Sequence, residues 1–125
     1  MIFDSMFTQN TILGTALQAA NVRNGVISGN IANADTPNYK KKTVDFESYL
    51  QDALDQAKVT GTIDLSKLEP TIRTIHTNYE YRLDGNNVDI ESEMVDLYQN
   101  SVKYEAMVDS VTSNSRRFNL VLNGR

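Results

Sequence analysis

Apolar side chains recur at alternating steps of three and four residues along the first third of the chain, as they do on one face of a helix. The stripe consists of Phe3, Met6, Asn10, Leu13, Leu17, Ala20, Asn24, Ile27, Ile31 and Ala34. This heptad-like spacing predicts a long helix within residues 1–36 that packs against another helix. The helical pattern ends at Pro37, which has no amide hydrogen and disfavours helical geometry at Thr36.

A second stripe with the same spacing follows in the last third of the chain. It consists of Ile90, Met94, Leu97, Ser101, Tyr104, Val108, Val111, Ser115, Phe118 and Leu122. The pattern predicts a second long helix within residues 85–125, preceded by a turn at Asp84-Gly85 and capped by Asn87 or Asp89. Two such stripes predict a mainly α-helical fold whose N- and C-terminal helices pair as a coiled coil.

The middle segment, residues 37–84, has no single period. The spacing of Phe46, Leu50 and Leu54 predicts a short amphipathic helix over residues 45–57. Residues 59–65 and 71–83 are rich in Thr, Ile and Tyr and alternate in places, which favours extended chain or a hairpin. The length of 125 residues fits one domain built from the two helices and this segment.

The first helix is unusual in its charge. Between residues 5 and 34 the only charged side chain is Arg23, and Asn, Gln, Ser, Thr and Gly fill the polar faces. A water-exposed helix normally carries Lys and Glu, so this composition is typical of a helix that other protein surrounds on several sides. The alternative is a helix in the core of a small monomer that tolerates its asparagines.

We therefore interpret the two stripes as assembly seams. The residues chosen are Leu13, Leu17, Asn24, Ile27, Ile31, Met94, Leu97, Tyr104, Val108, Val111 and Phe118. The polar members Asn24, Ser101 and Ser115 have two interpretations: they set the pairing register, or they face a water-filled channel.

The amino-acid composition argues against several kinds of functional site. The chain has no Cys and one His, which excludes disulfides and cysteine metal centres, and its net charge of −4 argues against nucleic acid as a partner. His76 lacks a catalytic setting, and Asp84 begins a loop whose spacing does not match a calcium-binding loop. We expect no enzyme, no metal site, no cofactor and no small-molecule substrate. The run from Lys40 to Lys42 is interpreted as a solvated loop.

The sequence shows no pattern typical of a signal peptide or a membrane span. The first residues carry no basic stretch, and no apolar run approaches the length of a membrane span. We expect neither a cleaved signal peptide nor a transmembrane helix.

Two motifs resemble the bacterial flagellar rod and hook family. The first is the stretch from Ser28 to Lys40, whose key residues are Asn30, Ile31, Ala32, Asn33, Ala34, Asp35, Thr36, Pro37 and Tyr39. The second precedes the C-terminal helix and consists of Asp84, Gly85, Asn86, Asn87, Val88 and Asp89. Within this family, the short length and the lead-in to each helix resemble those of one proximal rod subunit, and a closely related proximal rod subunit with similar ends is the alternative.

The resemblance implies a structural subunit of the flagellar basal body, located in the rod that spans the periplasm or cell wall. It implies export through the flagellar type III apparatus without a cleaved signal peptide, and helical assembly into the drive shaft. The implied partners are other copies of the chain, other flagellar rod proteins, and the membrane-ring and export-gate proteins of the basal body. A helical secretion chaperone or a small secreted helical hairpin is the alternative.

Overall fold

A long antiparallel pair of helices dominates the computed structural model, which describes residues 2–76 and 82–124. The elements are α1 (Ile2–Ala32), β1 (Lys42–Asp45), α2 (Glu47–Thr60), a 3-10 helix (Leu65–Lys67), β2 (Thr71–Thr74) and α3 (Ile90–Asn123). Asn10 bonds to Asn114 near the start of α1, and Asn30 bonds to Glu93 near its end. The two long helices therefore run in opposite directions, which confirms the predicted mainly α fold.

The ends of α3 follow ordinary capping chemistry. The carboxylate of Asp89 accepts hydrogen bonds from the backbone N–H groups of Glu91 and Ser92, at 3.1 and 3.4 Å. Asp89, rather than Asn87, is therefore the N-cap. Gly124 closes the helix in the left-handed conformation, with φ of 61°.

The middle segment folds back along α1 and covers a second side of it. Phe46, Ala53 and Leu68 are buried in a cluster with Ala19 of α1. Burying these side chains provides the hydrophobic stabilisation that holds α2 against the helix pair. The helix α1 is thus enclosed by α3 on one side and by the middle segment on another.

The predicted extended chain in the middle segment needs correction. Residues 59–60 are the end of α2, because Gly61 adopts φ of 76° and lets the helix run on to Thr60 before it stops. Residues 65–67 form a 3-10 helix. The strand β2 pairs instead with β1, antiparallel, from Lys42 opposite Thr74 to Asp45 opposite Thr71. Residues 61–64, 75–76 and 82–83 of the predicted stretches form bends, turns or irregular chain, and residues 77–81 lie outside the described residues.

Arg23, the only charged side chain between residues 5 and 34, fastens the middle segment to α1. Its guanidinium donates to both carboxylate oxygens of Glu47, at 2.7 and 2.5 Å, and to the backbone oxygen of Val44 at 3.2 Å. Two parallel N–H···O bonds give this ion pair a fixed geometry. Arg23 therefore orients the start of α2 and the adjoining strand.

This ion pair predicts an acid-sensitive contact. The Arg23 hydrogen bonds lower the pKa of Glu47 below its ordinary value of 4.5, against the opposing effect of burial. A lowered pKa contributes stability that is present above the unfolded-state pKa and lost as the pH falls through the folded-state pKa. Because the Glu47 side chain is 60% exposed, we expect that loss to stay below about 1 kcal/mol.

An NMR titration of the Glu47 carboxyl carbon measures this effect. We expect a midpoint below 4.5 in the native chain and a rise towards that value in Arg23→Met. Lys103→Met is the matched control, because the charge of Lys103 also lowers the pKa of Glu47 but Lys103 makes no hydrogen bond to that carboxylate. A midpoint that does not respond to Arg23→Met would contradict the assigned cause.

Candidate functional site: a polar lock and the outer face of α3

Asn86, in the second motif, caps the end of α1 with its side chain. Its Nδ2 group donates to the backbone oxygens of Asn33, Ala34 and Thr36, at 3.0, 2.9 and 2.9 Å. Its Oδ1 accepts from the backbone N–H of Val88 at 2.7 Å. These three carbonyls belong to the turn directly after α1, and each has a second donor: the N–H of Thr36, the guanidinium of Arg82 and the N–H of Tyr39 respectively. The buried amide of Asn86 therefore ties this turn to the segment that precedes α3.

Asn30, in the first motif, uses the full bonding capacity of its amide. Its Nδ2 donates to the backbone oxygen of Lys42 at 2.8 Å and to Oε2 of Glu93 at 2.9 Å. Its Oδ1 accepts from the hydroxyl of Tyr39 at 3.1 Å and from the Lys42 N–H at 3.0 Å. The side chain is fully buried, and it connects α1 to both β1 and α3.

A buried charge pair completes this connection. Glu93 is almost fully buried and forms an ion pair with the ammonium group of Lys41. Asn87 accepts a hydrogen bond from the Lys41 N–H at 2.6 Å and donates to the backbone oxygen of Ile75 at 3.0 Å. Burial raises the pKa of the Tyr39 hydroxyl, and the negative charge of Glu93 adds to the rise.

We call this group the polar lock and define it as Asn30, Tyr39, Lys41, Asn86, Asn87 and Glu93. The two motifs singled out in the sequence meet here, although about fifty residues separate them along the chain. The lysine run is not the solvated loop that was predicted: Lys41 pairs with Glu93, and Lys40 donates to the backbone oxygen of Gly85 at 2.6 Å.

The remaining motif residues surround the lock. Ala34 and Val88 are buried, and Asp35 pairs with Arg82 at 3.1 Å. Arg82, which also donates to the backbone oxygen of Ala34 at 3.1 Å, was missed in the sequence because a single arginine in a polar loop gives no signal. Ile31 and Asn33 are half-buried, whereas the side chains of Ala32, Thr36 and Pro37 are exposed.

The side of α1 that faces α3 matches the predicted stripe. Ile27 is buried, and Leu13, Leu17 and Asn24 are half-buried. The amide of Asn24 accepts a 2.7 Å hydrogen bond from Asn100, which also donates to the backbone oxygen of Ala20 at 2.8 Å. Asn24 thus takes part in the contact between the two helices.

On α3, the side that faces α1 is offset from the predicted stripe. The contact uses Glu93, Asn100 and Asn114, which stand seven and fourteen residues apart. Sequence reasoning missed them because they are polar, although their heptad spacing was a usable signal. Ser115 is exposed, and the hydroxyl of Ser101 bonds to its own helix.

The other seam residues divide between the two sides of α3. Leu97, Val111 and Phe118 are half-buried, and the ring of Phe118 packs edge-on against Phe3 and Phe7 with centroids 6.1 and 5.9 Å apart. Met94, Tyr104 and Val108 are exposed.

Exposed apolar side chains continue along α3 away from α1. We define the outer stripe as Ile90, Met94, Tyr98 and Val102, which recur every four residues on one side of the helix, and the tip as Leu120, Val121 and Leu122. All seven are exposed, Tyr98 by 72% and Leu120 by 59%. Contiguous exposed apolar side chains mark contact surfaces for other proteins or membranes.

Neither a metal-ligand group nor a membrane-spanning helix is found among the described residues. Within residues 2–76 and 82–124, acidic and histidine side chains nowhere gather in a group of three that could hold a metal ion. Over the same ranges, none of the helices combines the length and apolar character that crossing a bilayer requires. His76 is exposed, next to Ile75, whose backbone oxygen accepts from Asn87 of the lock at 3.0 Å. The arrangement is suited to binding protein surfaces.

Comparison with known proteins points to one family. The family model described as flagella basal body rod protein matches residues 11–40, which include the end of α1 and the first motif. The flagellar basal body rod protein FlgB of Bacillus subtilis (strain 168) is 34% identical over 117 residues, covering 90% of this chain and 91% of that protein. The FlgB proteins of Borreliella burgdorferi and Proteus mirabilis (strain HI4320) are 35% and 32% identical, covering 85% and 86% of this chain and 89% and 88% of their own.

The lock predicts a large effect from a single amide. In Asn86→Ala, the carbonyls of Asn33, Ala34 and Thr36 lose a shared donor, and the buried N–H of Val88 loses its acceptor. We expect the free energy of unfolding to fall by roughly 1–3 kcal/mol. Urea unfolding of the full chain, followed by circular dichroism at the helix band, measures the change.

Asn21→Ala is the matched control, because Asn21 is an exposed asparagine in the middle of α1. We expect it to be neutral or slightly stabilising, since alanine is the better helix former. Equal effects of the two substitutions would refute the capping role of Asn86.

Proposed function

The chain belongs to the flagellar basal body rod proteins of the FlgB type and is a structural subunit of the rod; from this we propose that it assembles helically, through its terminal helices, into the torque-transmitting shaft of the proximal rod. As a rod component it assembles with other proteins of the basal body. The matched relatives carry the FlgB name, so the alternative of the closely related second proximal rod subunit is not favoured.

One observation supports assembly through the helices: α3 contacts α1 with one side and exposes apolar side chains on the other. The side towards α1 is occupied by polar pairs such as Asn100 with Asn24 and Glu93 with Asn30. The opposite side carries the outer stripe and is exposed in the single chain. Water contact with these apolar side chains is unfavourable, and a neighbouring subunit that covers them removes that cost.

A rod also needs contacts that continue from one subunit to the next. A contact between two different surfaces of identical chains does not close on itself unless its rotation happens to form a ring, and otherwise it builds a helical polymer. The outer stripe and the predicted seam residues Met94, Tyr104 and Val108 are placed for such contacts, since all are exposed on α3.

Family membership also supports a proposal for the location and partners of the subunit. We place it in the rod that spans the periplasm or cell wall, in contact with further copies of itself, other flagellar rod proteins, and the membrane-ring and export-gate proteins. Its route there is export through the flagellar type III apparatus without a cleaved signal peptide. We assign it no catalytic function.

Gene deletion with complementation tests the function. We expect the deletion strain to lose swimming, and the complemented strain to regain it and to contain the chain in its isolated basal bodies. A chain that is absent from basal bodies in a swimming strain would overturn the proposal.

A substitution on the outer stripe tests the assembly surface. We expect Val102→Glu to fold with an unchanged urea midpoint, because Val102 is 49% exposed, but to block assembly by placing a charge in an apolar contact. The measurements are swimming in soft agar and the amount of the chain in isolated basal bodies.

Ser110→Glu is the matched control, since it adds the same charge at an exposed position on a different side of α3. We expect it to swim. Normal rods with Val102→Glu would show that the outer stripe is not an assembly surface.

A further inference from the structure

We propose that successive copies of this chain join head to tail along α3, with Tyr98 of one copy seated in a depression on α3 of the next copy. The depression is lined by Arg116, Asn119, Leu120 and Asn123. This inference rests on the proposed helical assembly and names the two surfaces that meet in it.

Tyr98 has the features of an interface anchor. It is the most exposed side chain of the outer stripe, at 72%, and it lies between Met94 and Val102, which are exposed by 59% and 49%. Tyrosine supplies a large apolar area at a low entropy cost, and it is enriched among the residues that dominate binding energy. An exposed tyrosine with apolar neighbours is therefore suited to entering a partner.

The depression offers the chemistry that such a ring requires. Leu120 provides an apolar surface, and the guanidinium of Arg116 can lie against an aromatic face. Asn119 and Asn123 carry side-chain amides that can bond to a phenol hydroxyl. Aromatic stacking, apolar contact and a polar partner for the hydroxyl are thus available within one or two turns of the same helix.

Charge favours the same pairing. The exposed carboxylate of Glu91 lies beside the outer stripe near the start of α3. Asp96 also lies there, but it stands 3.9 Å from Lys41, and Lys103 directly follows Val102. The depression lies beside Arg116 and Arg117, which are exposed and make no salt bridge within the part of the chain that the structure describes. Glu91 of one copy therefore attracts the two arginines of the next copy, whereas two depressions repel each other.

The helix geometry prevents the two surfaces from meeting within one chain. Twenty-two residues separate Tyr98 from Leu120, which is roughly 33 Å along a rigid helix. The separation between Val102 and Arg116 is about four helical turns, so both surfaces lie on the same side of α3. A parallel, staggered neighbour brings each depression onto the stripe of the next copy, and this contact repeats without closing.

The register of a parallel contact is specific. When Tyr98 is centred in the depression, Val102 of one copy lies level with Asn123 of the other. In an antiparallel pair, Met94 would lie level with Asn123 instead, and the two contacts would close into a dimer. The chain has no cysteine, so introduced cysteines can report which arrangement is present.

The experiment is disulfide cross-linking in cells that express Val102→Cys/Asn123→Cys as the only copy of the chain, with Tyr98, Arg116 and Leu120 left intact. After mild oxidation, basal bodies are isolated and the chain is followed on non-reducing gels. We expect a ladder of dimers, trimers and higher species, because each copy links to two neighbours. Each single-cysteine variant should give no ladder.

The pair Met94→Cys/Asn123→Cys is the matched control, and we expect it to give no ladder. A doubly linked dimer from this pair, without higher species, would overturn the head-to-tail arrangement. So would a Val102/Asn123 variant that is present in basal bodies but does not cross-link, and that result would leave the rod function intact. Absence of the chain from basal bodies that are otherwise complete would overturn both.

A charge exchange provides a second test. In the cross-linking strain, we expect Arg116→Glu to reduce the ladder about tenfold, since it replaces attraction to Glu91 by repulsion. Adding Glu91→Arg should restore the ladder. Failure of the exchange to restore it, when both variants keep the urea midpoint of the parent, would overturn the pairing of these two surfaces.

Discussion

The fully buried amide of Asn30 is the interaction on which the rest of the structure depends. Its four hydrogen bonds join α1 to β1 and, through Glu93, to the start of α3. An amide whose donors and acceptors are all satisfied in one geometry fixes relative positions more sharply than apolar packing does. The buried carboxylate of Glu93 is tolerated for the same reason, because Asn30 and Lys41 hold it on two sides.

The sequence predicts the parts of the fold that local patterns control. Periodicity indicates both long helices, and Pro37 marks the end of the first, because these depend on residues close together in the chain. The pairing of β1 with β2 was not predictable, since the partners Val44 and Ile72 are separated along the chain by the whole of α2. A four-residue strand has too few residues for its sequence pattern to identify the distant strand with which it pairs.

On α3, the predicted apolar stripe and the side that contacts α1 do not coincide, and the reason concerns what an apolar pattern can show. An apolar pattern identifies side chains that avoid water, but it does not say which surface covers them. On α3 the seam with α1 uses Asn100 and Asn114, while apolar residues such as Met94 and Tyr98 face outward. A chain that completes its fold within a polymer has two sets of buried positions, and the pattern in its sequence combines them. The uncharged surface of α1 is explained in part by the single chain, because α3 and the middle segment already enclose it.

The antiparallel arrangement has a mechanical consequence. The first turn of α1 and the last turn of α3 lie at the same end, where Phe118 contacts Phe3 and Phe7, and the polar lock lies at the other. When the first turn of α1 is pulled away from the last turn of α3, the helix pair therefore unzips. The force then acts on one contact at a time and does not shear all of them together. The rings separate first, the Asn10–Asn114 bond follows, and the lock opens last. The two helices thus separate easily at the end where the rings meet, and they resist separation at the end that holds the polar lock.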